Sequence, residues 1–91
     1  MSDYSNFPPY KYFSRILKNC PKSALIYIQI WKLKNARMVL VIEKIYIRKD
    51  FLLSPTMFRN LITPLMYMGI IKFIEDSKEY RITLNGICDD I

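Results

Sequence analysis

The residue types that usually carry chemistry are sparse in this chain of 91 residues, and no spacing brings them together. Histidine is absent, which removes the commonest general base and the commonest metal ligand. Cys20 and Cys88 stand near opposite ends and fall short of the roughly four ligands of a structural zinc site. They also make no secreted disulfide framework. They read as structural thiols, with an intersubunit disulfide as the alternative. Gly69 and Gly86 are the only glycines, so no glycine-rich phosphate cradle exists. Glu43 and Asp50 have no histidine or metal to work with. The expectation is a protein without catalytic residues, metal or cofactor. Composition alone therefore argues against most enzymes and leaves binding as the broader class.

The charge supports that direction. Lys and Arg outnumber Asp and Glu by 14 to 8, a formal net of +6. Residues 1–37 carry seven of the basic residues against Asp3 alone, whereas residues 70–91 carry three against Glu75, Asp76, Glu79, Asp89 and Asp90. A basic balance favours phosphate-rich partners, although a basic face serves solubility equally well.

A chain this short makes one domain. Its 52% hydrophobic and 14% aromatic content is that of a folded core, not a disordered tail. The longest apolar runs, residues 24–28 and 38–42, are far shorter than the ~20 residues of a membrane span. The opening MSDYSNFPPYKYF lacks the apolar core of a signal peptide. The expected compartment is the cytoplasm, with no membrane contact.

The elements follow from periodicity and punctuation. Pro8 and Pro9 make residues 1–9 an extended arm. Residues 10–18 turn helical, with Tyr12/Ile16 and Phe13/Leu17 four apart and Lys11, Arg15 and Lys18 on one face. Pro21 suits the first position of a second helix over residues 21–33. That helix is apolar almost all round, so every side of it must be covered, by this domain or by a second subunit. After a polar turn at residues 34–37, residues 38–42 (MVLVI) predict a buried strand and residues 43–51 a short helix. Ser54 and Pro55 predict a capped helix that runs to Met68, with Gly69 as its left-handed terminator and Phe58, Ile62 and Leu65 as its buried stripe. Pro64 removes an amide from that helix and predicts a kink. Residues 70–75 and 79–84 predict a hairpin, with Tyr80, Ile82 and Leu84 alternating against Arg81 and Thr83. The domain is placed at residues 10–86, with a tail at 87–91.

Residues 42–74, IEKIYIRKDFLLSPTMFRNLITPLMYMGIIKFI, resemble the helix-turn-helix and first wing strand of the winged-helix DNA-binding superfamily. Leu53-Ser54-Pro55, Phe58, Leu65 and Gly69-Ile70-Ile71 carry the likeness. The run Cys20-Pro21-Lys22-Ser23-Ala24 is similar to the opening of winged helices in plasmid and phage replication or partition proteins. The resemblance implies an α+β fold: a single winged helix-turn-helix with an extra N-terminal helix. It implies sequence-specific binding of double-stranded DNA, in transcriptional regulation or as a plasmid or viral partition or replication accessory. It further implies a recognition helix that enters the major groove by its N-terminal half. Thr56, Met57, Arg59, Asn60 and Thr63 would then face the DNA. Arg59 suits a guanine edge and Asn60 an adenine edge. Lys44, Arg48 and Lys49 on the short helix, and Lys72, Lys78 and Arg81 on the hairpin, would meet phosphates.

The partner expected on this reading is DNA, bound by a homodimer that the apolar second helix, Met66 and Tyr67 would join, with higher-order assembly open. A second reading keeps the fold without the DNA and makes the chain a protein-interaction module. The single charge of the recognition helix, Arg59, favours it.

Overall fold

The structure, a computed structural model, describes residues 8–85. Gly86 and the expected tail, with Cys88, lie outside those residues, as do residues 1–7 of the expected arm. Within them the chain is α+β: four α-helices and a three-stranded antiparallel sheet.

Helix α1 spans Tyr10–Asn19 and starts where the Pro9 carbonyl accepts the amides of Tyr12 (3.1 Å) and Phe13 (3.0 Å). Ile16 is buried, Tyr12 and Phe13 pack against the core, and Lys11, Arg15 and Lys18 are exposed. The Cys20 amide closes α1 on the Ile16 carbonyl, and Pro21 opens α2 (Pro21–Leu33) one residue later. In α2 the side chains of Ser23, Ala24, Ile26, Tyr27, Ile30 and Trp31 are buried. Within this one chain one face of α2 is uncovered, the case in which the expectation assigned the cover to a second subunit. Leu25 is 76% exposed, and it shares the i, i+4, i+7 stripe with Gln29 and Lys32. Burial also pushes the Tyr27 phenol up to about 12, so it stays neutral at any physiological pH.

Strand β1 is Val39–Glu43, one residue later than predicted. Asn35 is the cause. Its side-chain oxygen accepts the amides of Arg37 (2.8 Å) and Val39 (3.1 Å), so the turn runs through Met38, which sits at φ +67°. The predicted helix over 43–51 divides for a related reason. Glu43 still pairs with Glu79, and the Lys44 amide reaches the Lys78 carbonyl at 2.8 Å. The ladder thus consumes the start of that segment. A single 3-10 turn (Lys44–Tyr46) then leads into α3, Ile47–Phe51.

Helix α4 spans Pro55–Tyr67 and begins as its sequence predicts. The Ser54 hydroxyl accepts the Met57 amide at 3.2 Å, one of the orphan donors of a helix start. Ser54→Ala is expected to cost about 1 kcal/mol. The readout is a thermal midpoint lower by roughly 4–8 °C. The far end is a Schellman closure: the Gly69 amide bonds Met66 and the Ile70 amide bonds Leu65, with Gly69 at φ +75°. Pro64 lies inside α4 without ending it. Three residues before Pro64, the Leu61 carbonyl accepts the buried Ser23 hydroxyl at 2.6 Å. That bond anchors α4 to α2.

Strands β2 (Ile71–Glu75) and β3 (Glu79–Leu84) form the predicted hairpin. The sheet order is β1-β3-β2, because β1 pairs with β3 rather than with its sequence neighbour β2. One face of this sheet carries Leu40, Ile42, Ile71, Tyr80, Ile82 and Leu84 into the core. Phe58, Ile62 and Leu65 of α4 complete that core. The Phe58 ring stacks on Tyr80 (centroids 5.4 Å apart) and meets Phe51 edge-on (4.8 Å). This joins α3, α4 and the hairpin at one point.

Candidate nucleic-acid interface

The buried stripe of α4 decides which of its residues meet solvent. With Phe58, Ile62 and Leu65 turned into the core, Thr56, Met57, Arg59 and Asn60 are exposed on the first two turns. Thr63, expected with them, is half-buried, and its hydroxyl donates to the Arg59 carbonyl at 2.8 Å. Such back-bonding commits the hydroxyl proton to the helix and leaves its oxygen as an acceptor. The exposed quartet therefore occupies the N-terminal half of α4, beside the cap at Ser54.

Arg59 is held by a partner that no sequence pattern singles out. Its Nε donates to Glu75 Oε1 at 3.1 Å and its Nη2 to Oε2 at 2.9 Å, a two-point fork on one carboxylate. Lys44 Nζ reaches the same Oε2 at 2.8 Å. These hydrogen bonds, first from Lys44 and then from Arg59, hold the Glu75 carboxyl below the usual glutamate range. The same contact raises the already high Arg59 pKa. Strand alternation explains the meeting. Ile71, Phe73 and Glu75 share one face of β2, and Glu75 lies at the strand's end, where that face passes from core to solvent.

Lys44 is fixed from two further directions. Its ammonium lies 5.4 Å from the centre of the Tyr80 ring, and its amide is tied to the Lys78 carbonyl. Lys78 itself belongs to the hairpin turn. There Asp76 accepts the amides of Lys78 (2.9 Å) and Glu79 (2.8 Å), which keeps the Asp76 carboxyl acidic. The turn, the start of the 3-10 segment and the exposed face of α4 thus form one continuous polar surface.

The other expected residues fall elsewhere. Arg48 and Lys49 are exposed on α3. Lys72 and Arg81 are exposed on the outer face of the sheet, beside Val41 and Ile74 and opposite the face that packs on α4. The structure brings Lys44 and Arg59 together on Glu75, with the Lys78 backbone against Lys44, and it sets Lys72 and Arg81 on the other face of the sheet. Glu75 was legible in the sequence only as one of several hairpin acids. The one available clue was its parity with Phe73 and Ile71, which puts it on the core-facing side of the strand.

Comparison with known protein families, with curated proteins and with solved structures finds no match to this chain. The chemistry of its own surfaces therefore carries the functional reading.

A second surface is apolar. A groove of about 430 Å³ runs between α2 and the α3–α4 turn, lined by Leu25, Ile28, Leu52, Leu53 and Leu61, with Lys22 and Lys32 also on it. Leu52, 84% exposed, takes the left-handed conformation at φ +59° to end α3. Among the described residues no group of three or more Cys, Asp or Glu side chains is placed to hold a metal ion. No described helix is long and apolar enough to cross a membrane.

Proposed function

We propose that this chain binds double-stranded DNA as a winged helix-turn-helix, with α4 as its recognition helix and the β2–β3 hairpin as its wing. One observation carries the reading: the order α2, β1, α3, α4, β2, β3 with the sheet arranged β1-β3-β2. That arrangement buries one stripe of a capped helix and leaves its N-terminal half free beside a hairpin turn. A helix presented in this way fits the major groove, with Asn60 suited to an adenine edge and Thr56 and Met57 to neighbouring bases. Arg48 and Lys49 supply cations for the backbone from the preceding helix.

With no catalytic residues in the reading, the activity is occupancy: a regulator of transcription, or an accessory in partition or replication of plasmid or viral DNA. A homodimer on a palindromic site is part of the proposal, with the apolar groove and α2 as its contact surfaces. The test is an anisotropy titration of the protein against DNA flanking its own gene at two salt concentrations. Phosphate-driven binding weakens by a slope of about 0.9 in log K per log salt for each neutralised phosphate.

The exposed Leu25 and Leu52 favour a second reading, in which the fold serves as a protein-interaction module. On that reading the chain binds a protein partner at high salt and no DNA at low salt.

A further inference from the structure

The cluster at Glu75 says more than that a helix faces DNA, and what it adds rests on the DNA-binding reading above. We propose that Lys44 and Arg59 form a preformed phosphate clamp whose resident anion is the chain's own Glu75 carboxylate, displaced when a DNA backbone phosphate arrives. On this view Arg59 is a phosphate contact, and base recognition on α4 falls to Asn60, Met57 and Thr56.

The geometry is that of an anion site already filled. One carboxylate takes two parallel bonds from the Arg59 guanidinium (3.1 and 2.9 Å) and a third from Lys44 (2.8 Å). The guanidinium fork that matches a carboxylate also matches two phosphate oxygens. The three side chains come from different elements: Lys44 from the 3-10 turn, Arg59 from α4 and Glu75 from the end of β2. The site is therefore set by the fold and does not depend on a flexible loop. Besides Glu75, the Lys44 ammonium lies over the Tyr80 ring, and its backbone is tied by the amide bond to Lys78.

The pair is also accessible. The Arg59 side chain is 47% exposed and that of Glu75 28%. Ion pairs this wet contribute little net stability, so a phosphate can exchange for the carboxylate at small cost. Arg59 is the only cation on α4, and while it holds Glu75 it is not free to reach into the groove for a guanine edge. The carboxylate thus tempers binding to every sequence alike. It leaves the preference among sequences to the uncharged residues of the helix.

The experiment compares wild type with Glu75→Gln and Glu79→Gln on one cognate and one unrelated duplex across a range of salt. Glu75 and Glu79 both belong to the hairpin, so each variant removes one negative charge, but only the first empties the clamp. Glu75→Gln is expected to bind both duplexes roughly three- to tenfold more tightly at low salt, since two surface ion pairs no longer have to be broken. Its salt slope should stay within about 1 of the wild-type slope, because the same two cations reach phosphates in both complexes. Adding Arg59→Gln to that variant should weaken both duplexes equally and leave their ratio unchanged. Several results would overturn the clamp while the DNA reading stands. These are a Glu75→Gln affinity equal to wild type, equal tightening by Glu79→Gln, or loss of cognate preference on removing Arg59. If neither wild type nor Glu75→Gln binds any duplex at low salt, both the clamp and the reading beneath it fail.

Discussion

Phe58→Ala is expected to lower the free energy of unfolding by about 3–5 kcal/mol, the range for removing a fully buried aromatic side chain. Phe58 is wholly buried and touches three elements at once, through Phe51 of α3, Tyr80 of β3 and its own α4. Alanine there leaves a cavity that the rings on either side cannot both close. A small domain has about 5–15 kcal/mol in total, so the loss is a large share of it. Denaturant unfolding followed by circular dichroism measures the change. Leu17→Ala, at an exposed position of α1, serves as the control and should stay within about 0.5 kcal/mol of wild type. The same substitution bears on function, because the ring that anchors α4 also sets which residues face outward.

Two substitutions on the proposed interface should fail in different ways. Replacing Arg48 and Lys49 together with alanine removes two exposed cations from α3 without touching α4. Binding should weaken for every duplex, and the salt slope should fall by about 1.8, or 0.9 for each phosphate no longer neutralised. Asn60→Ala removes no charge, so the slope should hold. Its effect should appear as a weaker preference for the cognate duplex, by about 1–3 kcal/mol or roughly 5- to 150-fold. Titrations of each variant against a cognate and an unrelated duplex separate the two outcomes. Loss of preference from the α3 variant, or a uniform loss from Asn60→Ala, would mean that the helices have the opposite roles.

Much of the fold is legible in the sequence because its signals are local. Ser54-Pro55 names the start of α4 from the needs of orphan amides, and Gly69 names its end from the need for a positive φ. Alternation in β3 gives both the strand and the face it buries. The misplacements arise where a specific side-chain bond or a distant strand decides. Met38 lies in the turn because the Asn35 side chain bonds two amides beyond it. Glu43 joins the sheet and not the helix because the hairpin supplies its partner Glu79, and Lys44 beyond it opens a 3-10 turn with its amide on the Lys78 carbonyl. The apolar α2 predicted cover by this domain or by a second subunit, and the domain itself leaves Leu25 exposed.

The candidate interface divides in the same way. Helix periodicity alone places Thr56, Met57, Arg59 and Asn60 on the exposed side of α4. The partner of Arg59 depends on how the hairpin packs beside α4, and no spacing within the chain encodes it. By composition Glu75 is one negative charge on a nearly neutral hairpin, whereas its position makes it the anion between two of the candidate cations. In the same manner, Lys72 and Arg81 share the hairpin with Lys78 in sequence but belong to the outer face of the sheet.

The measurement that bears most directly on DNA recognition by α4 is the titration of wild-type protein against duplexes flanking its own gene, at low and high salt. Recognition by α4 predicts binding at low salt, a linear fall of log K with log salt, and a duplex that is preferred over unrelated sequence. No binding to any duplex at low salt would contradict it, and would turn attention to the groove between α2 and the α3–α4 turn.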